Sequence, residues 1–122
     1  MNKYASIYSF FNSFGIPFYV NTNVPNDAKY PYGTYENVTG SEFDEASVTV
    51  RLYYYTTTES EINAMAEKIS KRIGYGGTQI PCENGCIWIT RGTPFCQAIS
   101  DDSDTNIKSR YILVNLEFLT GD

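Results

Sequence analysis

Hydrophobic and polar positions follow two periods along the chain, and the change between them is sharpest within residues 47–73. Val48, Val50, Leu52 and Tyr54 alternate with Thr49, Arg51, Tyr53 and Tyr55. That period of two predicts a long strand with an aliphatic face and a polar, aromatic face. From Thr58 the period lengthens, because Ile62, Met65, Ala66, Ile69 and Ile73 recur as one stripe on a helix. Thr58 followed by Glu61 has the form of a capping box, and Gly74 is expected to stop the helix in the left-handed conformation. Glu59 and Glu61 near its start, and Lys68, Lys71 and Arg72 near its end, complement the helix dipole. Burying Ile62, Met65, Ile69 and Ile73 is worth roughly 6–12 kcal/mol as an upper estimate, so this helix has to lie on a sheet. Ile69→Asp is expected to unfold the domain, and Lys68→Ala to be nearly neutral.

The rest of the chain reads the same way. Residues 2–14 place Tyr4, Ile7, Tyr8, Phe11 and Phe14 on one stripe, a short amphipathic helix that ends at Gly15 and Pro17. Residues 16–20 predict a brief strand. Residues 21–31 form a polar loop in which Pro25 and Pro31 keep their neighbours extended, and Tyr30, Tyr32 and Tyr35 surround it. This loop is either a passive connection or a surface held out for a partner. Residues 32–38 predict a strand that forms a hairpin with the long one. Gly74-Tyr75-Gly76-Gly77 reads as a helix stop and mobile linker, since it follows a helix and lacks the Lys and Ser or Thr of a phosphate loop. Residues 86–91 and 95–99 flank Gly92-Thr93-Pro94, which predicts a second hairpin turning there. Trp88 is expected either in the helix layer or on the outer sheet face. Residues 110–119 predict a last, central strand with Ile112, Val114, Leu116 and Phe118 on one face and Tyr111, Leu113, Asn115 and Glu117 on the other. The order predicts an α+β domain, a mostly antiparallel β-sheet with two α-helices packed on one face, over the single domain 1–122.

Composition changes this picture in one respect. Eleven Tyr and seven Phe exceed what the core of a 122-residue domain comfortably holds, and Tyr is enriched where protein surfaces meet, so self-association is expected. A net charge of −5 without a Lys or Arg cluster argues against a protein that coats nucleic acid. No run approaches the roughly 20 apolar residues of a membrane span, and no basic-then-apolar leader opens the chain, so a soluble protein outside the general secretory route is expected.

Candidate chemistry is sparse. The chain has no His, which removes the commonest general base and every Ser-His-Asp, Cys-His or HExxH arrangement. Glu42, Asp44 and Glu45 sit in a polar turn with nothing to desolvate them. Cys82, Cys86 and Cys96 predict reduced thiols around a hairpin, lacking both a fourth conventional zinc ligand and an activating cation other than Arg91. Asp101, Asp102 and Asp104 have a spacing near that of a calcium loop, but the Gly and Glu such a loop requires are missing, and a solvated turn is expected. The sequence therefore predicts no catalytic, metal or cofactor site.

Several stretches resemble the tail terminator or tail-completion proteins of long-tailed bacteriophages, a group also described as minor capsid or neck proteins. They are the aromatic first helix ending at Gly15-Ile16-Pro17, the Val24-Pro25 loop leading into Tyr30-Pro31-Tyr32-Gly33-Thr34-Tyr35, the strand from Val48 to Tyr55 running into an amphipathic helix, and the terminal strand from Tyr111 to Phe118. The resemblance implies a non-enzymatic ring, usually a hexamer, that assembles on the end of a finished tail tube, stops its growth and joins the capsid connector. Its partners would be copies of itself, the tail tube protein and the head-tail connector proteins. DNA would pass through without specific binding. The ring would reside in the virion after assembly in the bacterial host cytoplasm. Under that resemblance Tyr30, Tyr32, Tyr35, Tyr53 and Tyr55 are subunit or partner contacts, and Asp101, Asp102 and Asp104 line the channel or touch the tube. Cys82, Cys86 and Cys96 lie outside the family pattern. Two other classes stay open: another neck or tail component, such as a connector-side joining protein or a tube subunit, and a small-ligand or peptide-binding module using the Tyr-rich face.

Overall fold

The computed structural model describes residues 1–38, 43–99 and 104–120. The chain runs α1 (Lys3–Phe11), a 3-10 turn (Asn12–Phe14), β1 (Phe18–Val20), β2 (Tyr32–Tyr35), β3 (Glu45–Tyr55), α2 (Ser60–Ile73), β4 (Thr78–Cys82), β5 (Gly85–Ile99) and β6 (Ile107–Thr120). The strands form one sheet in the order β1-β2-β3-β6-β5-β4. All neighbours are antiparallel except β1 and β2, so the sheet is mixed at one edge and the domain is α+β.

The two long alternating segments, β3 and β6, pair at the centre over their full overlap, from Glu45 opposite Glu117 to Tyr55 opposite Ile107. This register puts Val48, Val50, Leu52 and Tyr54 on the same face as Ile112, Val114, Leu116 and Phe118, and all eight are buried. Both helices cover that face. α2 contributes Ile62, Ala66, Ile69 and Ile73, while α1 and its 3-10 turn contribute Ile7, Phe10, Phe11 and Phe14. Phe14 meets Phe10 edge-on with ring centroids 5.4 Å apart, and Tyr4 and Tyr8 of the predicted stripe are exposed.

Four local expectations are corrected. The Gly92-Thr93-Pro94 segment does not reverse the chain: residues 85–91 and 96–99 both pair with β6, which is 14 residues long and holds them in one strand. The extra residues form a bulge between Arg91 and Cys96, where Gly92 packs so close to Leu113 that a Cβ would lie 2.4 Å from it. The hairpin instead turns at Glu83 and Asn84, using β4, a strand within the stretch after the supposed linker. Nor does Thr58 cap α2. Its hydroxyl lies 3.1 Å from Ser60 Oγ, residue 59 occupies the N-cap without a side-chain bond to the helix amides, and Glu59 binds Arg110 instead. Gly74 does take a positive φ of 80°, but with an extended ψ of 171° that leads directly toward β4. Lys68 is not idle either, since its Nζ donates to the Phe14 carbonyl at 2.9 Å and ties α2 to the 3-10 turn.

Candidate functional site: the uncovered face of the sheet

The helices leave the second face of the sheet bare, and the alternation that buries one side chain presents the next one there. Tyr19, Tyr32 and Tyr53 lie across β1, β2 and β3, because Tyr32 is in register with Tyr53 and Tyr19 is in register with Thr34, next but one to Tyr32. Tyr32 stacks on Tyr53 at 4.9 Å and meets Tyr19 at 6.0 Å. Tyr30, at the end of the proline loop, touches Tyr32 at 5.6 Å and Tyr55 at 5.7 Å, which extends the ladder to the end of β3. Of the five predicted contact tyrosines, the fold thus gathers Tyr30, Tyr32, Tyr53 and Tyr55 into one patch. Tyr35 does not belong to it. Alternation in β2 turns it inward, where it is 3% exposed and stacks on Phe11 at 4.8 Å, so it is a core residue.

Beside the ladder, Arg51 lies between two rings, its guanidinium carbon 5.0 Å from the centroid of Tyr53 and 5.0 Å from that of Tyr111. Nη1 is 3.5 Å from the Tyr111 hydroxyl. These cation–π contacts hold the guanidinium plane in one orientation between the two rings. Arg51, Tyr53, Tyr111, Glu36, Pro94 and Gln97 border a concavity of about 470 Å³. Glu36 closes one side of it by accepting the Thr49 amide at 2.6 Å. Burial raises the Tyr53 phenol above its ordinary value, with Arg51 pulling the other way, so the ring stays a neutral hydrogen-bonding group well past neutrality.

Compared with protein-family models, curated proteins and solved structures, the chain has no match. What the face can do is therefore read from its own geometry: stack on flat or apolar groups and donate hydrogen bonds.

The remaining candidates are scattered. Asp104 is half-buried and its Oδ1 accepts the Asn106 amide at 2.9 Å, closing the turn into β6. Asp101 and Asp102 lie outside the described residues. Cys82 and Cys86 stand on the two sides of the β4–β5 hairpin, and Cys96 follows the bulge, where burial pushes its thiol up against the smaller opposing pull of Arg110. Among the described residues no three His, Cys, Asp or Glu side chains gather as metal ligands, and no helix is long and apolar enough to cross a membrane. Trp88 of β5 lies on the outer face, in register with Glu117 of β6. Arg51, Tyr19 and Tyr111 escaped the sequence reading as site residues. Their outward parity was legible, but only the register brings them beside Tyr53.

Proposed function

We propose that the protein is a structural, non-enzymatic subunit that closes into a ring on the end of a phage tail tube, ends its polymerisation and presents the surface that joins the capsid connector. The observation that carries this reading is the tyrosine ladder, half-buried at Tyr19, Tyr32 and Tyr53 and exposed at Tyr30 and Tyr55, on a sheet face that neither α1 nor α2 covers. Contiguous exposed aromatic surface is what a contact face requires and what an isolated soluble protomer avoids. Tyr loses little conformational entropy on burial and keeps a hydroxyl for the wet rim, which suits a contact among identical copies. The net charge of −5 favours a lumen that DNA crosses without sticking. The resemblance in element order and in the proline-aromatic stretch supplies the remaining support. The partners are copies of the chain, in a hexamer, with the tail tube protein on one side and the connector proteins on the other.

Sedimentation velocity and negative-stain imaging test the reading. A closed ring is expected that a Tyr32→Ser, Tyr53→Ser double variant disperses while its helical signal is retained. A protomer that stays monomeric at high concentration, alone and with tail tube protein, would sink it, and open-ended tubes would make the chain a tube subunit. The concavity bordered by Tyr53 and Tyr111 favours a second reading, a module binding a small ligand or peptide on the Tyr-rich face. A monomer whose melting temperature rises on adding such a ligand would support that reading instead.

A further inference from the structure

A second cavity lies away from the tyrosine face, between α1 and β4, and holds about 480 Å³. That is within the roughly 300–1,000 Å³ of pockets that take small molecules. Its middle is apolar, with Phe10 on the helix side and Ile80 and Pro81 on the strand side. Ser6, Ser9, Phe10 and Ser13 recur at the spacing of one helical face, so α1 and its 3-10 turn supply one wall.

Several of the polar groups around it are engaged in holding the walls. The Ser6 hydroxyl donates to the Pro81 carbonyl at 2.9 Å, and the Ser13 hydroxyl donates to the Phe10 carbonyl at 2.6 Å. Glu83, the acidic residue of the lining, faces the amino group of Met1 at 3.7 Å. It stands five positions beyond Thr78, about 16 Å at the strand rise.

Arg72 and Ser9 are left over. Arg72 ends α2 at the Thr78 end of the cavity and is braced at two points: Nη1 donates to Thr78 Oγ1 at 2.9 Å, and the guanidinium carbon lies 5.2 Å from the centroid of the Phe10 ring. Among the described residues no carboxylate pairs with it, and the Ser9 hydroxyl has no hydrogen bond. The α2 dipole favours a cation at this place, but with roughly half an elementary charge it leaves the remaining guanidinium donors open. A braced guanidinium loses little freedom on binding and presents N–H donors in the fork that oxyanions accept.

We propose that this cavity binds a small organic oxyanion, a carboxylate or phosphate monoester whose apolar body is the size of one ring. The anionic head binds Arg72 and the Ser9 hydroxyl, and the body lies against Phe10, Ile80 and Pro81. The site rests on neither reading of the tyrosine face.

The test titrates phenyl phosphate, benzoate and the neutral benzyl alcohol into isotope-labelled protein and follows the amide chemical shifts, with circular dichroism checking the fold of each variant. Saturable shifts are expected from an anion at Ser9, Phe10, Ser13 and Arg72, and benzyl alcohol is expected to bind at least about tenfold more weakly. Arg72→Gln should weaken the anion at least about tenfold, and Ser9→Ala about threefold. Lys71→Gln makes the same charge change outside the lining and should alter affinity less than about twofold. Binding of only one of the two anions would support the site and name its head group. No saturable shift with either anion, shifts confined to the residues around Tyr53 and Tyr111, or an affinity unchanged in Arg72→Gln would overturn the site and leave the ring reading standing.

Discussion

Arg110 offers the sharpest test of how α2 is held. It lies on the helix-facing side of β6, opposite Leu52, and is 8% exposed. Nη2 donates to Glu59 Oε2 at 2.6 Å and to Asn63 Oδ1 at 3.1 Å, while Nη1 donates to the Ser109 carbonyl at 2.9 Å. A sheet residue therefore binds the first turn of the helix, in place of the expected capping box. Removing one member of a fully buried ion pair costs about 3–5 kcal/mol. The Glu59 side chain is 52% exposed, however, so water screens the pair and takes over part of its solvation. We expect Glu59→Ala to cost about 1–2 kcal/mol, and Arg110→Met, which keeps the stem packed, about as much. In a double-mutant cycle the two should couple by about 1 kcal/mol. Urea unfolding followed by circular dichroism at neutral pH measures each corner, and 1 kcal/mol corresponds to roughly 4 °C in melting temperature for a domain of this size. Thr58→Ala is the companion variant. A true cap would cost about 1 kcal/mol, whereas the structure predicts a few tenths. A coupling below about 0.3 kcal/mol, the scatter expected of independent sites, would refute the anchor. So would a Thr58 cost above that of Glu59.

Tyr35→Ala should cost about 3–5 kcal/mol by calorimetry, as a core aromatic does, whereas Tyr32→Ala should leave protomer stability within about 1 kcal/mol. Gly33→Ala should destabilise by about 1–3 kcal/mol in urea titrations, since its Cβ would lie 2.3 Å from the Phe18 ring. Lys68→Ala should cost about 1 kcal/mol through the lost bond to the Phe14 carbonyl, measurable by thermal melting. Burial raises Tyr35, Tyr53 and Tyr54 above the ordinary 10.0, and Cys96 above 9.0, in the folded state. Well below 9.0 these groups are protonated in both states and stability is indifferent to them; as the pH rises toward and past 9.0 the unfolded chain ionises first, so stability should fall. The urea midpoint between pH 8 and 11 reads this, and Tyr54→Phe should flatten the slope.

The periodic segments were legible because period alone decides them. The β3 alternation, the α2 stripe and the inward set of β6 follow from where apolar residues recur, and a long segment averages over local exceptions. What failed were places where a distant segment decides. Gly92-Thr93-Pro94 has turn chemistry, but β6 is long enough to pair on both sides of it and stretches it into a bulge. Thr58 and Glu61 fit a cap, yet a cation from β6 claims the helix start first. β4 is short, holds Pro81 and follows a glycine run, so nothing local marks it as a strand. The tyrosines divide the same way. Tyr53 and Tyr55 were placed outward by parity within a long strand, whereas Tyr35 lies in a four-residue strand whose inward face is set by Phe11 and Phe18 of the first helix and β1.

The outermost strands explain why association should use a face. β1 exposes the Phe18 backbone at its open side, and the Asn12 side chain takes both groups, donating to the carbonyl at 3.2 Å and accepting from the amide at 2.9 Å. At the other edge, Pro81 has no amide to offer, Ser6 donates to its carbonyl at 2.9 Å, and the Glu83 amide donates to the Met1 carbonyl at 2.8 Å. Both caps come from α1 or its flanks, which touch β1 and β4 at once. Beyond Ile89, β5 has no β4 partner, but the bulge that follows breaks the pleat a new strand would have to match. Strand addition is blocked where it would be easiest, and the aromatic surface lies where no backbone pairing competes. An assembly built on such a protomer has to gain its specificity from side chains, from the ring and charge pattern of one sheet face, and this makes its contacts separable from its fold by substitution.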